Sequence, residues 1–370
     1  MKVKVLHYAP GFMSGGIESR LVDWYTKIDR EKVEFVLIKL NSDDKSPKLQ
    51  EFRELGGRCY NLPKFTPFNY IKYRKEMRKI FLEEQFDVVH VHSLSTGIFP
   101  LKEAKKQGVA VRVIHSRTTN YLPNEKNRLI KEINRLLTAN YATHYFACSK
   151  QAAEWGVGKK KAREATVIKN GIQLEKFIYN EDVRNRLRIE LGLENNYVVG
   201  TVCRLTPQKN LLFSLEVFDK IKRKIPSAKY VIVGKGPEYE PMMERASQLG
   251  IRNDILFCGE QSDVFNFYMA FDCFLATSLY EGFGTTAIEA QATGLPTLLS
   301  EGFPKVVEIT PYVKRISLDA APDIWVDALE MVGHRKRTEQ DATYVNDAGY
   351  NADFVAKGLE DFYLYGKTIC

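Results

Sequence analysis

Two periodicities alternate along this chain. Short, nearly continuous apolar runs read as strands, and between them lie segments whose apolar positions recur at helical spacing. In the first half the runs KVKVLHY, VEFVLIK, DVVHVHS, AVRVIHS and THYFACS predict strands, with helices such as ESRLVDWYTKI and NRLIKEINRLL between them. After a polar, charged passage, IYNEDVRNRLRIELGLENN, the alternation restarts with YVVGTVCRL, AKYVIVG, DILFCG, DCFLATS and LPTLLS. A last amphipathic pattern, DFVAKGLEDFYL, predicts a C-terminal helix. Such alternation predicts parallel sheets covered by helices, because a parallel neighbour is reached only through a crossover. Two sets, broken near residues 175–195, predict an α/β chain of two doubly wound, Rossmann-like domains facing across a cleft.

Composition agrees with that size. The 370 residues are 44% apolar and 27% charged, enough for two ordinary domains with sizeable cores. The first residues alternate charged and apolar side chains and lack the apolar run of a signal peptide. No apolar stretch approaches the length of a membrane span, so a cytoplasmic protein is expected. Cysteines at 59, 148, 203, 258, 273 and 370 form no Cys-x-x-Cys pair and read as reduced, mostly buried thiols. The net charge of +8 is unevenly spread: residues 1–170 carry 32 Lys+Arg against 18 Asp+Glu, and residues 171–370 carry 22 against 28. A basic half and a mildly acidic half are expected to meet different partners.

In open α/β sheets ligands bind in the loops at the carboxyl ends of strands. Four loops carry candidate chemistry. After the first strand, PGFMSGGIES places Gly15 and Gly16 directly before a helix, where free amides and the helix N-terminus suit a phosphate or sugar; a tight turn alone would use the same glycines. After YVVGTVC, the run RLTPQKN sets Arg204 and Lys209 on one loop, a forked donor and a point charge suited to a diphosphate, or simply solvated cations. The VGKGPE loop, with Gly234 and Gly236, lacks the third glycine of a dinucleotide fingerprint and reads first as a strand-to-helix turn. The fourth loop is EGFGTTAIE, Glu281 to Glu289. Thr286-Ala-Ile-Glu289 matches a capping box, which would explain Glu289 without any ligand. It explains neither Glu281 nor the glycines Gly282 and Gly284.

His90 and His92 share one face of a strand, with no third metal ligand recognisable nearby, and read as structural. His115 ends AVRVIHS, where reacting side chains tend to sit. No Asp-x-Asp occurs to hold a metal on a nucleotide diphosphate.

Taken together these pieces resemble the retaining glycosyltransferases of family 4, which have the GT-B fold. The family signature, a glutamate, seven residues and a second glutamate, matches Glu281-Gly-Phe-Gly-Thr-Thr-Ala-Ile-Glu289, followed by AQATGLPTLLS. GGIES, VIHS, FACSKQAAEW, VIKNGIQLEKF, CRLTPQKN, YVIVGKGPE and AFDCFLATSLYEGFG match in order, so the resemblance covers nearly the whole chain. YATHYFACSK, SDVFNFYMAFD, EGFPKVVEIT and ISLDAAPDIW are similar to capsular and exopolysaccharide members.

The resemblance implies an acceptor-side domain over 1–175, a donor-binding domain over 176–349, and a C-terminal helix, about 350–370, packing back on the first. It implies transfer of a sugar, with retention and without a metal, from a nucleotide diphosphate sugar, UDP-linked, to a glycan or lipid-linked acceptor. The nucleotide sugar is a substrate, and no cofactor is expected. Glu289 would hold the ribose hydroxyls and Glu281 would face the donor sugar. Amides around Gly282, Phe283, Gly284 and Thr285 would contact sugar and phosphates, with Gly234 nearby. Arg204 and Lys209 would neutralise the diphosphate, Gly15 and Gly16 would approach it, and His115 would lie beside the transferred sugar. Arg117 stands where relatives often carry a second histidine. The basic segments 68–81 and 124–137 would suit an anionic membrane surface at the inner face of the cell membrane; no module for nucleic acid accompanies them. Competing readings are an epimerase or phosphorylase-like enzyme of the same fold, a glycosidase using both glutamates, and a non-catalytic nucleotide-sugar sensor.

Overall fold

The computed structural model describes residues 2–10, 16–40, 46–118, 128–332 and 335–366. The chain divides into two compact units, Met1–Ile172 with Ala352–Cys370, and Gln173–Asn351. The first holds strands β1 (Val3–Tyr8), β2 (Val33–Leu40), β3 (Arg58–Leu62), β4 (Val88–Val91), β5 (Val111–Ser116), β6 (His144–Ala147) and β7 (Thr166–Val167). They pair in parallel in the order β3-β2-β1-β4-β5-β6-β7. The second unit holds β8 (Tyr197–Val202), β9 (Ala228–Val233), β10 (Ile255–Gly259), β11 (Cys273–Ala276), β12 (Thr297–Ser300) and β13 (Val313–Ile316). These are also all parallel, in the order β10-β9-β8-β11-β12-β13. Strand order therefore reverses between β1 and β4 and again between β8 and β11, the two places where doubly wound sheets open a crevice for ligands.

The near-continuous apolar strands follow from burial on both faces. Along β2, Val33, Phe35 and Leu37 enter one core, and Val36 and Ile38 enter the other. The first core is closed by the helices Gly16–Lys27 and Ala352–Tyr365, through Trp24, Val355, Leu359 and Phe362. The C-terminal helix is tied to this unit by the Ala352 amide donating to the Ile172 carbonyl at 2.8 Å and by Glu360 accepting from the Asp29 amide at 2.7 Å. The other core lies under the helices Tyr70–Glu84, Ile98–Lys106, Arg128–Tyr141 and Lys150–Val157.

In the second unit Val199, Phe218, Tyr230, Ile232 and Trp325 centre one core. Two arginines close the C-terminal end of the helix Val264–Ala270, whose last carbonyls would otherwise be buried without donors. Arg337 donates to the carbonyls of Tyr268 at 3.0 Å and Phe271 at 2.9 Å, and Arg184 to those of Met269 at 3.0 Å and Phe271 at 2.8 Å. Asp272 follows; burial would raise its carboxyl, but Arg184 and Arg188 hold it below the ordinary value. The five described cysteines are free thiols.

Candidate functional site

The reversal between β8 and β11 gathers most of the sequence candidates. The chain leaves β8 into the loop carrying Arg204, whose exposed side chain makes no hydrogen bond or ion pair among the described residues. Backbone bonds fix this loop: the Leu205 amide donates to the Lys235 carbonyl at 3.0 Å and the Glu238 amide to the Leu205 carbonyl at 3.1 Å. Gly234 permits that lacing. Its φ is 135°, and a Cβ there would lie 1.8 Å from the Cys203 carbonyl oxygen. The glycine of VGKGPE thus serves the close approach of two loops, which requires no ligand.

Pro207–Lys209 forms a short 3-10 turn, and Asn210, at φ 51°, swings the chain into the helix Leu211–Lys224. The turn presents Lys209 to the opposite loop. Lys209 Nζ donates to Glu281 Oε1 at 2.5 Å, and Ser278 Oγ donates to the same oxygen at 2.6 Å. Around this pair the Gln208 side chain donates to the Tyr280 carbonyl at 2.8 Å, and the Leu279 amide donates to the Gln208 carbonyl at 2.8 Å. Beside the pair burial pushes the Cys203 thiol up to about 12, so it stays neutral.

Past Glu281 the loop is anchored by Phe283, which is buried and packs against Tyr350 with ring centroids 5.6 Å apart. Gly284 is the N-cap of the helix Thr285–Ala292, at φ 88°, and no side chain caps that helix. Thr286 therefore lies within the helix rather than ahead of it, and the Thr286–Glu289 capping box does not form. The first amides of a helix have no partners inside it, so the Gly282-to-Thr285 segment ends in donors suited to an anion. Glu289 projects from the first turns and accepts from Tyr268 Oη at 2.8 Å. Burial first, and then the Glu289 charge, raise the Tyr268 hydroxyl well above its usual value, so it remains a donor.

The other candidates belong to the first unit. Gly16 opens the helix Gly16–Lys27 after β1, while Gly15 lies outside the described residues. His115, on β5, is part of a buried cluster of four histidines built at the β1–β4 reversal. His7 on β1 is the register partner of His90 on β4, and His92 follows that strand. Arg117 Nε donates to His92 Nδ1 at 3.2 Å. A guanidinium only donates, so His92 carries its proton on Nε2 and gives that hydrogen bond to His7 Nδ1, 3.0 Å away. A second chain runs from Tyr363 Oη to His90 Nδ1 at 2.8 Å, and from His90 Nε2 to His115 Nδ1 at 3.1 Å. His7 Nε2 and His115 Nε2 remain buried without partners among the described residues. Trp24 stacks on His115 at 6.0 Å and under the Arg117 guanidinium at 4.8 Å.

His7, His90 and His92 each place a ring nitrogen within 4.8 Å of the others, the spacing of a three-imidazole metal set. Burial lowers all four imidazoles, His7 to about 3, and the charge they feel besides one another is the Arg117 cation. A metal ion at these nitrogens would meet that buried guanidinium in a dry site. The cluster is read instead as two hydrogen-bonded chains ending on open ring nitrogens.

Several of these groups escape a reading of local sequence. Tyr268 and Ser278 meet the two glutamates from other segments, and His7 and Tyr363 reach the histidines from opposite ends of the chain. Only the strand order, which sets β1 beside β4, would have pointed to His7.

Known proteins resemble the whole length. A family described as "Glycosyltransferase Family 4" matches residues 14–176, and one described as "Glycosyl transferases group 1" matches residues 183–343. EpsF of Bacillus subtilis (strain 168), by name a glycosyltransferase, is 31% identical over 335 residues, 88% of this chain and 86% of its own. The Escherichia coli UDP-Gal:alpha-D-GlcNAc-diphosphoundecaprenol alpha-1,3-galactosyltransferase is 27% identical over 316 residues, 81% of this chain and 79% of its own. Among solved structures, Anabaena Alr3699/HepE in complex with UDP superimposes with a TM-score of 0.78 at 18% identity, covering 98% of this chain and 99% of that one.

Proposed function

Because this chain belongs to glycosyltransferase family 4 and has the GT-B fold, we propose that it transfers a sugar from a UDP-linked donor to a lipid-linked glycan precursor, in capsule or exopolysaccharide synthesis. Transfer proceeds with retention and needs no metal. The donor binds the unit Gln173–Asn351, and the acceptor binds the other. The bond between the anomeric carbon and the β-phosphate oxygen breaks, and the acceptor oxygen attacks from the same face. The acceptor proton passes to the leaving phosphate.

In this reading Arg204 and Lys209 carry the charge that develops on the diphosphate, helped by the amides at the start of Thr285–Ala292. Glu281 meets the donor sugar, Glu289 the ribose hydroxyls, and His115 the transferred sugar, with Gly15 and Gly16 near the phosphates. The observation that carries the reading is the paired Lys209 and Glu281 next to a helix start without a side-chain cap, with Arg204 unpaired among the described residues on the loop that bears Lys209. Both glutamates act as acceptors, from Lys209 and from Tyr268, which suits two grips on a ligand better than a glycosidase acid facing a nucleophile.

The test is calorimetric titration with UDP, beside a thermal-shift panel of other nucleoside diphosphates. UDP should bind most tightly, and Glu289→Gln should weaken it by about 1–3 kcal/mol, the range for a lost charged hydrogen bond. A variant that melts earlier yet binds UDP unchanged would remove Glu289 from the site. No binding of any nucleotide would defeat the function itself.

A further inference from the structure

A neutral imidazole carries one proton on two ring nitrogens, and its partners decide which nitrogen holds it. His7, His90, His92 and His115 are all buried, and burial keeps each of them neutral. In the chain that starts at Arg117 the guanidinium settles the polarity. His92 and then His7 accept on Nδ1, so His7 ends that chain with an Nε2–H. The other chain starts at Tyr363, on the helix Ala352–Tyr365, and its polarity follows from how that hydroxyl is used.

Tyr363 is buried, and among the described residues the only hydrogen-bond partner of its hydroxyl is His90 Nδ1, at 2.8 Å. Burial raises that hydroxyl far above its usual value, so it keeps its proton. Accepting from His90 would leave the proton buried without a partner, whereas donating leaves only lone pairs unused. Donation makes His90 Nδ1 the acceptor and puts the His90 proton on Nε2. His90 then donates to His115 Nδ1 at 3.1 Å. His115 in turn carries its proton on Nε2, the nitrogen with no partner among the described residues. Its ring is held in place: it lies near-parallel to Trp24 and His90, at 11° and 14°, and meets Phe146 edge-on at 5.9 Å. Such packing opposes the half-turn that would exchange its nitrogens.

We propose that Tyr363 and His90 are positioning residues that fix His115 as an Nε2–H donor, so that it meets the transferred sugar by giving a hydrogen bond to a sugar oxygen. His115 then takes no part as a base. Its Nδ1 already accepts from His90, and its Nε2 already holds a proton. The two chains have the same polarity although they start from different groups, since His7 and His115 both end them as donors. A sugar that turns a hydroxyl or carboxylate oxygen to His115 is selected over its deoxy analogue, which would leave the donor unpaired. The tautomer stands on the geometry of the unit that holds it; the contact with the sugar rests on the function proposed above.

The test is a long-range proton–nitrogen correlation spectrum of the full chain without ligand, with its histidine side chains labelled with nitrogen-15. Such a spectrum separates an Nε2–H imidazole from an Nδ1–H one. His90 and His115, assigned by the signals lost in His90→Gln and His115→Gln, should both show the Nε2–H pattern. Tyr363→Phe keeps the ring and removes the donor, and both imidazoles should then spread over two tautomers. In calorimetry that variant should bind UDP as the wild type does, but UDP-glucose and UDP-galactose about threefold to tenfold more weakly. The proposal is overturned if His115 carries its proton on Nδ1, or if Tyr363→Phe leaves both patterns unchanged. It is overturned too if the folded variant binds the nucleotide sugars as tightly as the wild type. The wild-type spectrum needs no substitution of Tyr363, so it decides the tautomer even if that variant fails to fold. A wild type that binds neither UDP nor a nucleotide sugar would defeat the function proposed above, with the tautomer still decided by the spectrum.

Discussion

Tyr268 donates to Glu289 from a helix that lies earlier in the chain, and two arginines hold the carbonyls at the end of that helix. The carboxylate therefore owes its direction to a residue that contributes nothing else to a ligand. Tyr268→Phe keeps the ring in its buried place and removes only the donor. UDP affinity should fall about threefold to tenfold, with a stability loss of about 1 kcal/mol; calorimetry and denaturant unfolding on one preparation read both. Unchanged affinity would mean that Glu289 is oriented without this bond. At this scale the sequence shows the ends of the signature but not its supports. Glu281 and Glu289 stand in one motif, whereas Ser278, Lys209 and Tyr268 reach them through folds of the chain that local spacing does not encode.

The start of Thr285–Ala292 decides between two accounts of the same nine residues. In a capping box Thr286→Ala would cost about 0.5–2 kcal/mol. With Gly284 as N-cap and no side-chain cap, that substitution should stay within about 0.5 kcal/mol, as ordinary surface changes do. Gly284→Ala should be the costly one, at about 1–3 kcal/mol, because φ is 88° and a Cβ would stand 2.5 Å from the Phe303 ring. Urea midpoints of the two variants check the pair, and the reverse order would restore the box. The strands that periodicity leaves unmarked, β3, β7 and β13, are all sheet edges. With one neighbour each and mixed exposure, they lack the continuous apolar run that marks a central parallel strand. Helices show a related limit. The segments 68–81 and 124–137 look alike as basic amphipathic sequences, yet the first buries Tyr73, Met77, Ile80 and Phe81, whereas in the second, whose residues 124–127 lie outside the described residues, Leu129, Ile130, Ile133, Leu136 and Leu137 are exposed.

Over the whole molecule the four buried histidines tie stability to pH. Their folded values are depressed, His7 from 6.5 to about 3 and the others well below 6.5, with burial the main cause and Arg117 adding to it. Below pH 6.5 the unfolded chain therefore binds protons that the folded chain refuses. Stability is fully present above that pH and is lost as pH falls toward the folded values, at up to about 1.4 kcal/mol per pH unit for each histidine. Unfolding free energies at pH 7.5, 6 and 5 should fall steadily; a flat profile would mean that the cluster takes up protons without unfolding. The sequence by itself determined the α/β class, the two windings and the loops that bear Arg204, Lys209 and the two glutamates. Those features follow from burial periodicity and from chemistry carried within single segments. Only the tertiary structure decided that His7 meets His92, that Tyr363 reaches His90, that Tyr268 holds Glu289, and which side of Arg128–Tyr141 faces outward. Each depends on strand order or on what a helix packs against, and these are set by contacts between residues far apart in the chain.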